Sequence, residues 1–200
     1  MPIFVKETGG DSTPVPQGTH LAICYRIVDA GSEYSEMYKK HSQKLIISWE
    51  LPNEKMVVDG VEKPMGISGT YTASLSDKAG LRKVLESWRG RQFTAEELKM
   101  FDISKVLGSV CMLSVVHTEK GSAKVTAVMA APKGTPKMVP YNPIVEYSQT
   151  DGLNDAFQTL PEWLQKRISA CEEWKSPALI KTQPEPSAVA DEEEDTQIPF

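Results

Sequence analysis

The chain is poor in the residues that metal and redox chemistry need. Its 200 residues include three cysteines, Cys24, Cys111 and Cys171, and three histidines, His20, His41 and His117. The cysteines are odd in number and far apart, no C-x-x-C occurs and no histidine stands at metal-ligand spacing, which argues against a disulfide framework, a zinc site and a redox motif. Buried, reduced thiols are expected, with no cofactor and no metal. No apolar run approaches the ~18 residues that cross a bilayer, so a soluble protein without a membrane partner is expected. The opening "MPIFVKETGG" lacks the basic start, long apolar stretch and small-residue cleavage site of a secretory signal, and a cytoplasmic location is expected.

Catalytic motifs are missing too. There is no G-x-x-x-x-G-K-[ST], no G-x-S-x-G, and no G-x-G-x-x-G between a strand and a helix, which argues against nucleotide hydrolysis and esterase chemistry. Asp151 and Asp155 stand at i, i+4 with Glu162 beyond, a spacing that could hold Mg²⁺ but is commoner among solvated carboxylates before a helix. Cys111 and His117 are too far apart along an extended strand to act as nucleophile and base. An enzyme is not expected.

Charge is unevenly spread. The net charge is −5, yet from residue 182 on there are six acids and no base, which leaves 21 acids against 22 Lys and Arg in residues 1–181. The body is close to neutral and the tail carries the acidity.

Residues 1–16, with Gly9, Gly10, Pro14 and Pro16, read as a loose arm. "THLAICYRIVDAG" (19–31) reads as a first strand, and the polar "SEYSEMYKKHS" (32–42) as a loop. In "QKLIISWEL" (43–51), Leu45, Ile47, Trp49 and Leu51 alternate with Lys44, Ser48 and Glu50, which predicts a half-buried second strand with the polar set in solvent. An Asp59-Gly60 turn signal leads to a third strand over 66–75. Leu81, Val84, Leu85 and Trp88 then mark one face of a helix capped by Ser76 or Asp77 and stopped by Gly90. Thr94 and Glu97 form a capping box for a second, short helix. "SVCMLSVVHTEKGSAKVTAVMAAP" (109–132) is a hairpin signal, and "KGTPKMVPYNP" is a proline-punctuated loop. Leu160, Trp163, Leu164, Ile168 and Cys171 predict a last helix over 160–174 with all five on its apolar face. Residues 176–200 bury too little to offset the ordering entropy and are expected to be disordered.

Five strands with a helix between the third and fourth is the order of an OB-fold, a five-stranded, partly open Greek-key barrel whose strand 2 and 3 face and 1-2 and 4-5 loops hold ligands. The expected architecture is therefore mainly β: this barrel over 17–175 with an extra C-terminal helix, then a disordered acidic tail.

The chain closes on "ADEEEDTQIPF", five consecutive acids, Thr196 and Gln197, then an apolar tripeptide. This end resembles the acidic Ile-Pro-Phe tip of bacterial and phage single-stranded-DNA-binding proteins. The stretches "PVPQGTHLAICYRIVDAG", "ELPNEK", "LESWRGRQFTAEE" and "LPEWLQKRI" look like small phage-encoded replication or recombination proteins. The resemblance implies a phage single-stranded-DNA-binding protein acting in a bacterial host, whose tip (Asp191, Glu192, Glu193, Glu194, Asp195, Ile198, Pro199 and Phe200) docks on replication or recombination proteins. Phe200 offers an aromatic payload, Pro199 lowers the ordering cost, and the acids steer toward a basic surface. As a coil the segment after Lys181 would reach roughly 25 Å, enough to find a partner or fold back on a basic groove of the body.

Binding a strand without sequence preference needs cations for phosphates and aromatic faces for bases. Tyr34, Tyr38, Lys39, Lys40, His41 and Lys44 offer both around the expected 1-2 loop, with Arg26 at the end of strand 1. Arg89 and Arg91 are candidate phosphate contacts, and Lys120 and Lys124 flank the expected 4-5 turn. Trp49 and Trp88 read as core by their spacing, and Tyr71 is divided between core and groove. Salt-dependent binding, helped by self-association or cooperativity along the strand, is the first expectation. An adaptor that uses the tail without touching DNA is the alternative.

Overall fold

The computed structural model describes residues 13–36, 39–58 and 60–175. Tyr38, Asp59 and the whole expected tail, including Asp191, Glu192, Glu193, Glu194, Asp195, Ile198, Pro199 and Phe200, lie outside the described residues, as do the first twelve residues of the expected arm.

Three long strands come first: β1 (Gly18–Ser35), β2 (Lys40–Val58) and β3 (Val61–Thr72). Helices α1 (Gly80–Arg89) and α2 (Ala95–Lys99) follow, then the hairpin of β4 (Val110–His117) and β5 (Ala123–Ala130). A short strand β6 (Val145–Tyr147) precedes α3 (Asp155–Thr159), α4 (Glu162–Ser169) and α5 (Glu172–Lys175). The protein is mainly β: an open sheet in the order β3-β2-β1-β4-β5, antiparallel except that β6 pairs in parallel with β1. β1 carries β2 on one edge, from Ile23 onward, and on the other edge β4 along Gly18–Ile23 followed by β6 along Arg26–Val28. The edge strands β3 and β5 approach each other without pairing, and α1 packs against both.

The polar segment 32–42 is not the expected loop. Ser32–Ser35 pairs with Lys40–Gln43, extending β1 and β2 into a hairpin arm. Cross-strand pairing forms this arm rather than burial, with the Tyr34 and His41 rings 5.0 Å apart. Lys39 turns it at φ 49°, the left-handed conformation a tight connection needs. β2 also runs past Leu51 to Val58, because an irregularity between Leu51 and Lys55 absorbs Pro52 without ending the ladder.

The inner face of the sheet buries Cys24, Ile27, Leu45, Ile47, Trp49, Leu51, Leu113 and Val128 with Leu81, Leu85 and Trp88 of α1. The Trp49 and Trp88 rings lie 6.0 Å apart, and Trp88 Nε1 donates to the Val110 carbonyl at 3.1 Å, so both belong to the core, as their spacing indicates. Gly90 stops α1 in a left-handed conformation, but Ala79 precedes it in place of the expected Ser76 or Asp77 cap, and Asp77 instead accepts from Arg82. The Thr94–Glu97 capping box forms as expected.

A second apolar layer covers half of the outer face. Val28, Ala30 and Ile46 pack under Tyr147, Phe157, Leu160, Leu164 and Ile168. The single helix expected over 160–174 is two short ones, α4 and α5, broken at Ala170–Cys171, and α3 stands before them across Leu160 and Pro161. Leu160, Leu164, Ile168 and Cys171 point inward, whereas Trp163 is 48% exposed. Among the described residues no helix is long and apolar enough to cross a membrane.

Candidate functional site

A bulge in β1 decides what the uncovered half of the outer face presents. Cys24 pairs with Trp49 and Arg26 with Ser48, so Tyr25 is an extra residue between them. Cys24 and Ile27 thereby keep the inner face while Arg26 joins Val28 on the outer one. The structure thus places Arg26 in the middle of β1, not at its end. Its guanidinium sits on a polar stripe: Nε donates to Ser48 Oγ at 3.4 Å, Nη2 donates to the Tyr25 hydroxyl at 3.2 Å, and Ser48 and Ser68 share a hydrogen bond of 2.9 Å.

Arg26 is only 8% exposed, and no carboxylate lies within ion-pairing distance of it among the described residues. Burial pulls its pKa below the usual arginine value, opposed by the Tyr25 hydroxyl. Burial also raises the Tyr25 phenol above its ordinary value, so at neutral pH it serves Arg26 as an uncharged acceptor. A buried cation without an anion is a costly arrangement, since desolvation is offset here by neutral hydrogen-bond acceptors and by the Tyr25 ring, 5.1 Å from the guanidinium carbon. It is also an anion site with one partner missing.

Arg26 lines a groove of about 610 Å³. Tyr25 and Arg26 of β1 and Gly66 and Ser68 of β3 form part of its wall, the β4–β5 turn brings Lys120 to it, and Pro161 just before α4 and Trp163 within it complete this part. Gly66 lies beside the phenol: a Cβ on it would stand 3.6 Å from the Tyr25 hydroxyl, an ordinary van der Waals contact. The residues before β1 reach the groove from Thr13, held by Val15 in the core and by His117, whose Nε2 donates to the Val15 carbonyl at 2.8 Å. The groove combines a buried arginine, an exposed lysine and a half-exposed indole, the groups that take a phosphate and a flat ring.

The chain matches no protein-family model and no curated relative. What the site does is therefore argued from its own residues.

The other candidates fall into separate groups. Tyr34, Lys39, Lys40 and His41 come together on the β1–β2 arm, where Lys39 pairs with Glu36 at 2.7 Å, and Lys44 at its base donates to Thr72 Oγ1 at 3.2 Å. Arm and groove flank α4. Arg167 near its end donates to Glu33 on the arm at 2.7 Å and to Thr70 at 3.1 Å, while Pro161 and Trp163 at its start border the groove. An eight-residue helix is ~12 Å long, so the two groups are close enough for one strand to visit both.

Arg89 and Arg91 are committed elsewhere. Both bind Glu97, Arg91 through two nitrogens at 2.8 and 2.9 Å, and Arg89 lies over the Phe93 and Phe101 rings at 4.5 and 5.0 Å. Together they fasten α2 to the end of α1, so their reading as phosphate contacts is replaced by a structural one. Tyr71 is half-buried against the inner core, its ring close to Gly69, and burial pushes its phenol up to about 12. Lys124 is exposed on β5, outside the groove lining. Tyr25 was not singled out by sequence, and Trp163 was read as part of the apolar face of the last helix rather than as a site residue. A bulge hides Tyr25 from any alternation count, and Trp163 stands at i+3 from Leu160, at the margin of the i, i+4, i+8 stripe that is buried.

Proposed function

We propose that the protein binds single-stranded DNA without sequence preference and without catalysing a reaction on it, as an OB-type barrel serving phage replication or recombination. The observation that carries this reading is Arg26: a buried arginine with no carboxylate partner among the described residues, at a groove that also holds Lys120 and an exposed Trp163. A strand supplies what each lacks, a phosphate for the guanidinium and a base for the indole, the stack being worth ~1 to 3 kcal/mol. A duplex presents its bases stacked and paired, so the indole favours an unpaired strand. The strand order, the helix between β3 and β4 and the approach of β3 to β5 support the barrel reading. In this scheme the acids 191–195 and Ile198, Pro199 and Phe200 recruit replication proteins while the body covers DNA. Titration of tryptophan fluorescence with oligo-dT at two salt concentrations tests it: quenching that weakens as salt rises is expected. An adaptor acting through its tail alone gives no quenching even at low salt, and that result would overturn the DNA-binding reading.

A further inference from the structure

The segment joining β5 to β6, residues 131–144, has no regular secondary structure, yet it is built to hold its shape. Prolines stand at 132, 136, 140 and 143, each fixing one backbone angle. Its anchor is Glu50, only 1% exposed in the middle of β2. The Glu50 carboxylate accepts from the Tyr141 amide at 2.6 Å, the Asn142 amide at 2.9 Å and the Asn142 side chain at 2.7 Å, and none of the ion pairs found among the described residues involves it. Three charge-assisted bonds to two adjacent residues offset the burial of the carboxylate and leave the turn one position.

The fixed turn displays apolar side chains rather than hiding them. Val139 is 90% exposed, Tyr141 59% and Ile144 54%. The same stretch holds Lys133 and Lys137 and no acid, in a protein with a net charge of −5. Its place is equally specific: Glu50 pairs in register with Gly66, which borders the groove beneath the Tyr25 hydroxyl, and stands two residues along β2 from Ser48, the Arg26 partner. That separation is ~7 Å. Local positive charge and continuity with the groove select one occupant, an anionic chain with flat apolar groups.

We infer that the Glu50-anchored turn is a second nucleic-acid subsite, in which Tyr141 stacks a base and Lys137 meets a phosphate of a strand continuing from the Arg26 groove. Glu50 is its positioning residue. The inference rests on the groove being a single-stranded-DNA site, and the test separates the two. Fluorescence anisotropy is measured with labelled oligo-dT in a length series, starting from the shortest that binds, for the wild type, Tyr141→Ala and Tyr141→Phe. Tyr141→Ala should bind long oligomers about 5- to 100-fold more weakly and the shortest as the wild type does, with Tyr141→Phe restoring the long ones. Wild-type binding at every length by Tyr141→Ala overturns the subsite and leaves the groove reading standing. Unchanged DNA binding with an altered sedimentation coefficient also overturns it, marking the turn as a contact between copies. If the wild type binds no oligomer at low salt, the groove reading fails first and takes the subsite with it.

Discussion

Replacing Arg26 with methionine separates a residue kept for binding from one kept for the fold. In the free protein Arg26 is 8% exposed, and its guanidinium donates to Ser48 Oγ at 3.4 Å and the Tyr25 hydroxyl at 3.2 Å and lies 5.1 Å from the centre of the Tyr25 ring. Losing those two bonds costs about 1 kcal/mol each, and Ser48 keeps its bond to Ser68. Against that stands the desolvation of an unpaired charge, several kcal/mol, which the variant removes while methionine fills much of the same volume. Arg26→Met should therefore be as stable as the wild type or more so, by ~0 to 3 kcal/mol in urea denaturation. Oligo-dT binding should weaken, and the slope of log K against log salt should flatten by ~0.7, the value of one phosphate contact on a single strand. The combination is the test. A variant that unfolds readily and binds with an unchanged salt slope would refute the argument, because Arg26 would then be a structural member of the Ser48–Ser68 stripe.

Three further perturbations address other parts of the molecule. Trp163 is half exposed at the groove, while Trp49 and Trp88 are buried and Trp174 stacks on Phe157 outside the groove lining, so Trp163→Phe should abolish most of the oligonucleotide-induced quenching with little change in melting temperature; quenching that persists would place the bases elsewhere. Arg91 hydrogen bonds, the Thr94 amide and Arg89 hold the Glu97 carboxyl down from 4.5 to about 2. Because the folded-state value is the lower one, the stabilisation is complete above pH 4.5 and lost as pH falls toward 2; the melting temperatures of wild type and Glu97→Gln should converge across that window, with DNA binding at neutral pH unaffected. Leu164→Ala should cost about 2 to 5 kcal/mol in urea denaturation, since Leu164 is fully buried in the outer core; a loss below 1 kcal/mol would mean that α4 is only loosely docked.

Elements whose side chains alternate or repeat cleanly were legible in the sequence. The middle of β2, α1, the α2 capping box and the β4–β5 hairpin stand where periodicity and turn chemistry put them, although β2 is buried on both faces from Leu45 to Leu51. The arm at 32–43 was not, since its ladder is made by backbone pairing between polar residues and leaves no apolar period to count. The three-residue β6 is too short for any pattern, and depends on parallel pairing with β1. Arg89 and Arg91 show a different limit. A basic pair in a loop reads the same whether it meets phosphate or a carboxylate six to eight residues away, and only the return of the chain through α2 brings Glu97 to them.

The outer face of β2 carries the larger lesson. Alternation assigned its polar residues to solvent, yet Ile46, Ser48 and Glu50 are all buried to within 1%. Down this one face the side chain passes from apolar to hydroxyl to carboxylate, and the cover changes with it: α3 and α4 lie over Ile46, the Arg26 stripe meets Ser48, and the 141–142 turn closes on Glu50. A sheet covered for stability alone would continue the apolar layer, because each buried polar group must be matched by a partner to avoid a net cost. Here the matching is complete at Glu50, which is satisfied by three donors, and incomplete at Arg26, which is not. The two ends of the polar stretch therefore have different uses. Glu50 holds a segment of the chain in place, and Arg26 keeps an unmet charge at the groove wall, where an incoming phosphate gains most from it.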